Sequence, residues 1–318
     1  MRAMNQLAAD LVREMMERRE ELRIGVSEVG SATVIDAGVK VVGGLEAGIY
    51  VARISMGGLS SVSISHGIYG EITLPQVEVR TDHPAESLMA SQFAGWRVKV
   101  GDYFAMGSGP ARVLAKKPSE LYEEIEYEEE SDVAVLVLEG SDLPGREVIK
   151  YISDKCGVDE KHLYVVVAPT NSLAGSVQIS ARSVETGVHK LHTLGLNPRD
   201  VLSGSGRAPI APLHPDPMVM LGRTNDMLLY GAEVFLSLDA EMERVKEIVK
   251  LAPSSASKEY GVSVAEKVAE LGAEFLYKVD PGFFAPARYV VCTKEGRCIQ
   301  AGRLNSELIA RSISLGGN

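Results

Sequence analysis

Residues 176 to 195, SVQISARSVETGVHKLHTLG, carry the side chains best suited to acid–base chemistry. Apolar residues recur on one side of this segment at helical spacing, which predicts a helix; they are Val177, Val184, Val188 and Leu191. At about 100° per residue, the polar side chains then share an arc of about 80°; they are Gln178, Arg182, Glu185, His189 and His192. Such a stripe beside a core face suits proton transfer at the edge of a cleft.

Glu185 and Arg182 are the pair on this stripe with the clearest chemistry. A glutamate beside an arginine stays ionised near neutral pH and can accept a proton from a water that it holds. The guanidinium donors can fix that carboxylate or an anionic ligand. The alternative is an ordinary surface ion pair at i,i+3, and His189 and His192 are either proton relays or structural histidines.

Further segments offer contacts for a ligand. Gly107-Ser108-Gly109 and Gly204-Ser205-Gly206 can present backbone N–H groups to a phosphate, or can simply turn the chain. Asn225 and Asp226 match the donor and acceptor edge of a heterocycle, with a turn or helix cap as the alternative. Phe283 and Phe284 stand between prolines, where the rings stack on a flat ligand or fill the core.

Several functional classes are excluded by motif and charge. The chain lacks a P-loop, H-E-x-x-H, G-x-S-x-G and paired C-x-x-C, so we expect no metal and no nucleotide of the P-loop type. Lysine plus arginine is 33 and aspartate plus glutamate is 43, a formal charge of −10. A nucleic-acid partner is therefore not expected, because neutralising phosphates needs a basic surface.

Cysteine usage and hydropathy bear on location. Three cysteines, Cys156, Cys292 and Cys298, are too few for a secreted disulfide framework, and the last two are expected to be strand residues of one hairpin. The N-terminal segment alternates charged and apolar residues, unlike a signal peptide. No apolar run approaches the roughly 18 residues of a membrane span. We therefore expect a cytoplasmic protein.

The elements that must position these residues are read from periodicity. The pattern predicts a helix over 5 to 22, short strands between 24 and 80, among them 32–36, 39–43, 48–55, 61–65 and 72–80, and a helix behind His83-Pro84. Two strands then flank a crossover helix at about 145 to 155, and residues 172 to 194 form the next long helix. Helices EMERVKEIVKL and SVAEKVAEL precede a hairpin around Lys294-Glu295-Gly296.

This order of elements predicts an α+β protein rather than one doubly wound sheet. The 318 residues correspond to about two domains. We expect an N-terminal β-rich domain over 1–118 and a C-terminal α+β domain over 119–318. Whether the C-terminal strands pack back on the first domain stays open.

The motifs taken together resemble the methenyltetrahydromethanopterin cyclohydrolase family. The segments that carry the resemblance run in order from about residue 81 to 305: TDHPAESLMASQFAGW, GSGPAR, APTNSLAGSVQISARSVETGVHKLH, GSGRAPIAP, GRTNDMLLYG, SKEYG, YKVDPGFFAPA and AGRLN. They cover most of the chain.

The resemblance implies reversible hydrolysis of 5,10-methenyltetrahydromethanopterin to the 5-formyl derivative in one-carbon metabolism and methanogenesis, without metal or prosthetic group. It also implies two associated α+β domains with a substrate pocket between them, and a homotrimer. The family's catalytic glutamate and arginine fall on Glu185 and Arg182.

The substrate implied by the resemblance combines a pterin with an anionic tail. Residues expected at the tail include the two Gly-Ser-Gly runs, Lys258 and Arg288, and the pterin end requires a stacking surface and a hydrogen-bonding edge. The substrate-binding residues expected in all are Ser108, Gly109, Gln178, His189, Asn225, Asp226, Lys258, Tyr260 and Phe284.

Two other functions remain open at this level. The Gly/Ser-rich residues 57 to 67 with GSGPA suggest a nucleotide-dependent small-molecule kinase, which would place a strand, a loop and a helix around this run. A pterin- or nucleotide-binding protein without activity is the third hypothesis, and it gives no reason for an arginine and glutamate pair at 182 and 185.

Overall fold

The computed structural model describes residues 2–272, 275 and 280–314. Residues 277–279, which open the YKVDPGFFAPA motif, lie outside this range. Contacts between Cα atoms divide the chain into two compact units, the first comprising 1–61 and 85–178 and the second 62–84 and 179–318. The predicted boundary at 118/119 falls inside the first unit. Within the described residues, no helix is long and apolar enough to cross a membrane.

The helices are α1 (Met4–Glu17), α2 (Arg19–Leu22), α3 (Leu45–Ser55), α4 (Ala111–Ala115), α5 (Ser119–Ile125), α6 (Arg146–Cys156), α7 (Leu173–Ser180), α8 (Ser183–Thr193), α9 (Pro217–Gly231), α10 (Met242–Leu251), α11 (Val264–Leu271) and α12 (Ser306–Ser314). A π-helical segment spans Ala85–Gln92, and short 3₁₀ turns span Glu160–His162, Pro198–Asp200, Ser254–Ala256 and Pro281–Phe283. The strands are β1 (Gly25–Val29), β2 (Ala32–Asp36), β3 (Ser60–Tyr69), β4 (Ile72–Thr81), β5 (Trp96–Val100), β6 (Tyr103–Ser108), β7 (Ala134–Glu139), β8 (Leu163–Val167), β9 (Val201–Pro209), β10 (Glu233–Leu238), β11 (Arg288–Thr293) and β12 (Cys298–Gly302).

The first unit is built on a six-stranded sheet in the order β1-β2-β8-β7-β6-β5. Strands β2, β8 and β7 are parallel, and β6 runs antiparallel to β7. Apart from Glu139 at the end of β7, the strand residues of β7 and β8 are aliphatic or aromatic and almost all buried, as expected for parallel strands covered on both faces. The predicted pair of parallel strands joined by a crossover helix, here α6, is confirmed.

The second unit contains a sheet in the order β12-β11-β10-β9-β4-β3. Strands β10 and β11 pair parallel, and β9 lies between β10 and β4 with antiparallel pairing on both sides. A core of buried apolar residues includes Met227, Tyr230, Val264 and Phe283. With two sheets of mixed direction and helices packed on them, the predicted α+β class is confirmed.

Two strand predictions in the first unit are wrong. Residues 48–55 lie in helix α3, where Ala47, Tyr50, Val51 and Ile54 are buried at i, i+3, i+4 and i+7, so a helical period underlies this β-branched segment. Residues 39–43 form no strand, because the carboxylate of Asp36 accepts the backbone N–H groups of 38, 39 and 40. Those bonds fold the chain into a loop.

The hairpin at the end of the chain is confirmed. Strands β11 and β12 pair antiparallel, and Cys292 lies opposite Cys298. The two cysteines are strand residues, as predicted, and they are joined by a disulfide across the pair. Cys156 is a buried free thiol, and burial raises its pKa to about 12.

Candidate active site

Arg182 and Glu185 lie at the start of α8, not in the middle of one long helix. The single helix predicted over 172 to 194 is wrong, because α7 ends at Ser180 and Arg182 occupies the N-cap of α8 with φ −81° and ψ 2°. No proline or glycine stands at 180–183 to signal the break. The Ser180 hydroxyl donates to the Pro209 carbonyl at 2.8 Å, so a tertiary contact holds the chain at this point.

The break divides the predicted polar stripe. Gln178 belongs to α7, so the single helical wheel that joined it to Arg182 and Glu185 does not apply. Within α8, Glu185, His189 and His192 keep the i, i+4, i+7 spacing of one helix face. Glu185 now stands in the first turn, where the unpaired N–H groups and helix dipole stabilise a carboxylate.

Helix α8 packs directly on the sheet of the second unit. Its apolar side chains Val184, Val188 and Leu191 are buried. A Cβ built on Gly204 would lie 2.7 Å from Val184 Cγ1, and one on Gly206 would lie 2.9 Å from Val184 Cγ2. Both glycines are ladder residues of β9. Residues 204–206 are therefore strand and not the predicted turn, and these glycines allow the helix to approach the strand.

The Arg182 and Glu185 side chains form a largely buried ion pair. Arg182 Nη1 lies 3.7 Å from Glu185 Oε2, and the two residues are 8% and 5% exposed. Charges removed from water interact more strongly than surface charges, and removing one partner of such a pair typically costs about 3–5 kcal/mol. The predicted pairing of these two groups is confirmed as geometry, and the surface alternative does not describe it.

His189 follows Glu185 by one helical turn and is mostly buried. Burial is the largest cause that lowers its pKa to about 4, and the nearby His192 and Lys190 lower it further. The imidazole is therefore neutral near pH 7 and suited to hydrogen bonding rather than to donating a proton as an acid. His192 Nδ1 lies 3.4 Å from the Leu196 carbonyl oxygen.

Asn225 and Asp226 lie within helix α9 rather than in a turn. Asp226 is fully buried, and it accepts hydrogen bonds from Val264 N at 2.7 Å, Ala265 N at 3.1 Å and the Ser263 hydroxyl at 2.9 Å. These groups open α11, so Asp226 caps a helix distant in sequence. Burial raises the pKa of Asp226 to about 6. Asn225 Nδ2 donates to the Leu221 carbonyl at 2.7 Å.

The remaining candidates of the second unit lie around its core. Tyr260 is half-buried, packs edge-on against Tyr230 with centroids 5.6 Å apart, and accepts a hydrogen bond from Asn305. Phe284 is half-buried, and its ring packs against the ring of Phe283, which is fully buried in the core. Lys258 is exposed. Arg288 pairs with Glu233 at 2.8 Å.

Three candidates lie in the first unit. Gly109 has φ +98°, and its N–H donates to the Ser91 carbonyl at 2.8 Å; Ser108 beside it is buried at the end of β6. Gln178 is buried, and its Nε2 donates to Glu139 Oε2 at 3.1 Å. Glu139 was not singled out from the sequence, although a carboxylate that ends a buried parallel strand is a recognisable signal.

Metal-binding clusters were sought over the same described ranges. No group of three or more histidine, cysteine, aspartate or glutamate side chains there is placed to hold a metal ion.

Comparison with known proteins identifies relatives over nearly the whole chain. A model of the family described as Cyclohydrolase (MCH) matches residues 3–313. The methenyltetrahydromethanopterin cyclohydrolase of Methanocaldococcus jannaschii is 45% identical over 319 residues, and that of Methanococcoides burtonii is 43% identical over 317 residues. The protein of the same name from Methanosarcina barkeri is 41% identical over 317 residues. Each alignment covers 98% of this chain and 98% of the relative.

Proposed function

The chain belongs to the methenyltetrahydromethanopterin cyclohydrolase family, and on that premise we propose that it hydrolyses 5,10-methenyltetrahydromethanopterin reversibly to the 5-formyl derivative. The observation that carries the catalytic assignment is the buried pair of Arg182 and Glu185 at the start of α8. The competing kinase hypothesis required a strand, a loop and a helix around 57–67. Residues 60–69 are instead the continuous strand β3, which follows a helix.

The proposed reaction needs a base for water rather than activation of the carbon. The methenyl carbon is part of a cationic amidinium and is already electrophilic. Glu185 accepts one proton from water as the oxygen bonds to that carbon. When the adduct collapses, Glu185 returns its proton to the departing nitrogen, and the hydroxyl proton leaves to solvent as the formyl C=O forms. One proton is released overall, and Glu185 ends as the carboxylate.

Arg182 has a positioning and electrostatic role in this scheme. Its guanidinium Nη1 is 3.7 Å from the Glu185 oxygen, beyond a strong hydrogen bond, so Arg182 acts on this carboxylate through its positive charge. The low exposure of both side chains strengthens this effect, because little water screens the pair. A shorter contact would weaken the base.

Three further properties concern the cofactor, the oligomeric state and the substrate-binding residues. We propose that the enzyme uses no metal or prosthetic group, acts as a homotrimer, and binds the pterin substrate through residues that include His189 and Tyr260. Light scattering of the purified protein measures the oligomer, and activity after chelation tests the metal. The cytoplasmic location stays a prediction.

Glu185→Gln is the direct test of the proposed mechanism. The variant keeps the shape of the side chain but cannot accept a proton from water, so we expect kcat to fall by at least about 100-fold. Substrate Kd should change by only a few-fold. Loss of the amidinium absorbance measures turnover, and fluorescence titration of the substrate measures binding.

Glu147→Gln is the matched control for this test. Glu147 also lies in the first turn of a helix, α6, but it is exposed, and we expect wild-type turnover. Turnover by Glu185→Gln at the wild-type rate would remove Glu185 from the mechanism. A folded wild-type protein that leaves the substrate unchanged would overturn the proposed function itself, and phosphoryl transfer from ATP with magnesium would then be assayed.

A further inference from the structure

The disulfide between Cys292 and Cys298 lies at the margin of the sheet of the second unit. Strand β12 is the last strand on that side of the sheet, so it pairs with β11 alone. Cys298 is the first residue of β12 and is exposed, and Cys292 is half-buried on β11. The bond is therefore within reach of small molecules in solution.

The strand pairing itself brings these two side chains together. Cys292 lies opposite Cys298, with 4.1 Å between their Cα atoms. In the adjacent pair, Thr293 N donates to the Arg297 carbonyl at 2.9 Å. Hydrogen-bonded and non-hydrogen-bonded pairs alternate along antiparallel strands, and the side chains are closer in the latter. Cys292 and Cys298 form such a close pair, so the two thiols remain neighbours after reduction and the bond can form again.

The effect of this disulfide on the protein is local. The two cysteines are six positions apart, and the entropy that a disulfide removes from the unfolded chain grows with the length of the loop it closes. A bond across so short a loop contributes less to the stability of the whole unit than a long-range one. Its effect therefore falls on the opening of β12, an edge strand with a neighbour on one side only.

The residues around the bond favour reaction with a thiol at this place in the chain. Lys294, Glu295 and Arg297 are exposed in the turn between the strands, two cations and one anion. The nucleophile in thiol–disulfide exchange is a thiolate, and an excess of positive charge attracts it. The third cysteine, Cys156, is buried, and burial raises its pKa to about 12, so it does not compete in the exchange.

We propose that the Cys292–Cys298 bond is a site of reversible thiol–disulfide exchange with small dithiols, and that it controls the local opening of β12. One thiolate of the dithiol bonds to Cys298 Sγ, the Cys292–Cys298 bond breaks, and Cys292 leaves as a thiolate that takes up a proton. The second thiol of the reagent then displaces Cys298 from the mixed disulfide. The protein gains two electrons and two protons, and the dithiol is oxidised to its own disulfide.

Thiol titration tests the exchange. Protein equilibrated with oxidised glutathione should show no rapidly reacting thiol when folded, and one, Cys156, in denaturant. Treatment of the folded protein with dithiothreitol, followed by removal of the reagent, should raise these counts to two and three. A bond that dithiothreitol opens only in denaturant would overturn the proposed exchange. Three thiols in the glutathione-treated protein would overturn it as well, because the bond would not have formed.

Hydrogen exchange tests the control of β12. Amide exchange of residues 298–302, followed by mass spectrometry, should become about 10- to 100-fold faster after reduction, as expected for loss of a cross-link over a short loop. The double variant Cys292→Ser/Cys298→Ser should exchange at the rate of the reduced protein and should not respond to dithiothreitol. Strand β5 is the matched control, because it is an edge strand of the other sheet and contains no cysteine.

The outcomes separate a local effect from a general one. Equal exchange of residues 298–302 in oxidised and reduced protein would overturn the control of β12. An equal acceleration in β5 would also overturn it, because the whole protein would then have been loosened. Both experiments are made without the methenyl substrate, so this inference and the proposed cyclohydrolase function can fail independently of each other.

Discussion

Replacing Gly204 with alanine should push the start of α8 away from strand β9. The added Cβ would lie 2.7 Å from Val184 Cγ1 and 3.2 Å from Leu236 Cδ2, whereas carbon atoms prefer separations of about 3.5–4.0 Å. Val184 is buried, and a β-branched side chain in a helix has essentially one rotamer. The clash is therefore relieved by a helix shift of about 0.8 Å, which restores a separation of about 3.5 Å, rather than by rotation of the valine.

This shift has an expected cost in stability and a second one in catalysis. Overpacking of a core contact costs about 1–3 kcal/mol, and each kcal/mol corresponds to about 1.5 °C in Tm for a chain of 318 residues. Glu185 is the next residue after Val184, so it moves with the helix turn. A misplacement of 1 Å can cost about 100-fold in rate, and we expect kcat to fall about 10- to 100-fold.

The assay combines thermal unfolding with turnover of the methenyl substrate. Val184→Ala supplies the internal check, because it removes the Cγ1 atom that clashes. In the double variant, the cost of Gly204→Ala should fall by at least about 1 kcal/mol relative to the single variant. Gly145→Ala is the control, since a Cβ there meets nothing within 4 Å.

Two results would refute this reasoning. If Gly204→Ala had the Tm and kcat of Gly145→Ala, the position of α8 would not depend on the absence of a Cβ at Gly204. Strict additivity of Gly204→Ala and Val184→Ala would show that the two positions do not touch. Either result would separate the position of Glu185 from the packing of α8 on β9.

Two further predictions concern pH. The pKa of His189 is lowered to about 4 in the folded protein, whereas in the unfolded chain this imidazole binds a proton near pH 6.5. The free energy of unfolding therefore falls as the pH falls, by about 2 kcal/mol between pH 7 and pH 5. His189→Gln should remove this loss, which is measured by urea titrations at the two pH values. The pKa of Asp226 is raised to about 6, so the folded state keeps a proton that the unfolded chain releases near pH 4, and stability is lost as pH rises, by about 2 kcal/mol between pH 4 and pH 7. Asp226→Asn should abolish this dependence, and an unchanged slope in the same titrations would contradict the assignment to Asp226.

Local patterns in the sequence were sufficient for much of the fold. The parallel strands around α6, the helices near 242–251 and 264–271, and the hairpin of β11 and β12 all appear where periodicity and turn residues indicate them. Arg182 and Glu185 could also be paired from the sequence. They are three residues apart at the start of a helix, and neighbours at that spacing meet whatever lies around them.

Tertiary structure decided the features that depend on distant partners. The break before α8 occurs beside the bond from Ser180 to Pro209, and the glycines of β9 are explained by Val184 packed against them. Asp226 became a helix cap through residues 37 to 39 positions away. The Glu139 carboxylate is held by hydrogen bonds from Thr170 and Gln178, which reach it only because β7, the loop at Thr170 and helix α7 lie together.

The sequence by itself determined the fold class, the family and the pairing of Arg182 with Glu185, because periodicity, motifs and i,i+3 spacing are short-range properties of the chain. The tertiary structure alone decided which polar groups are satisfied inside the protein and which, like the carboxylate of Glu139, stay accessible. The physical reason is that a buried donor or acceptor must find a partner wherever the fold provides one, and sequence spacing does not record that partner.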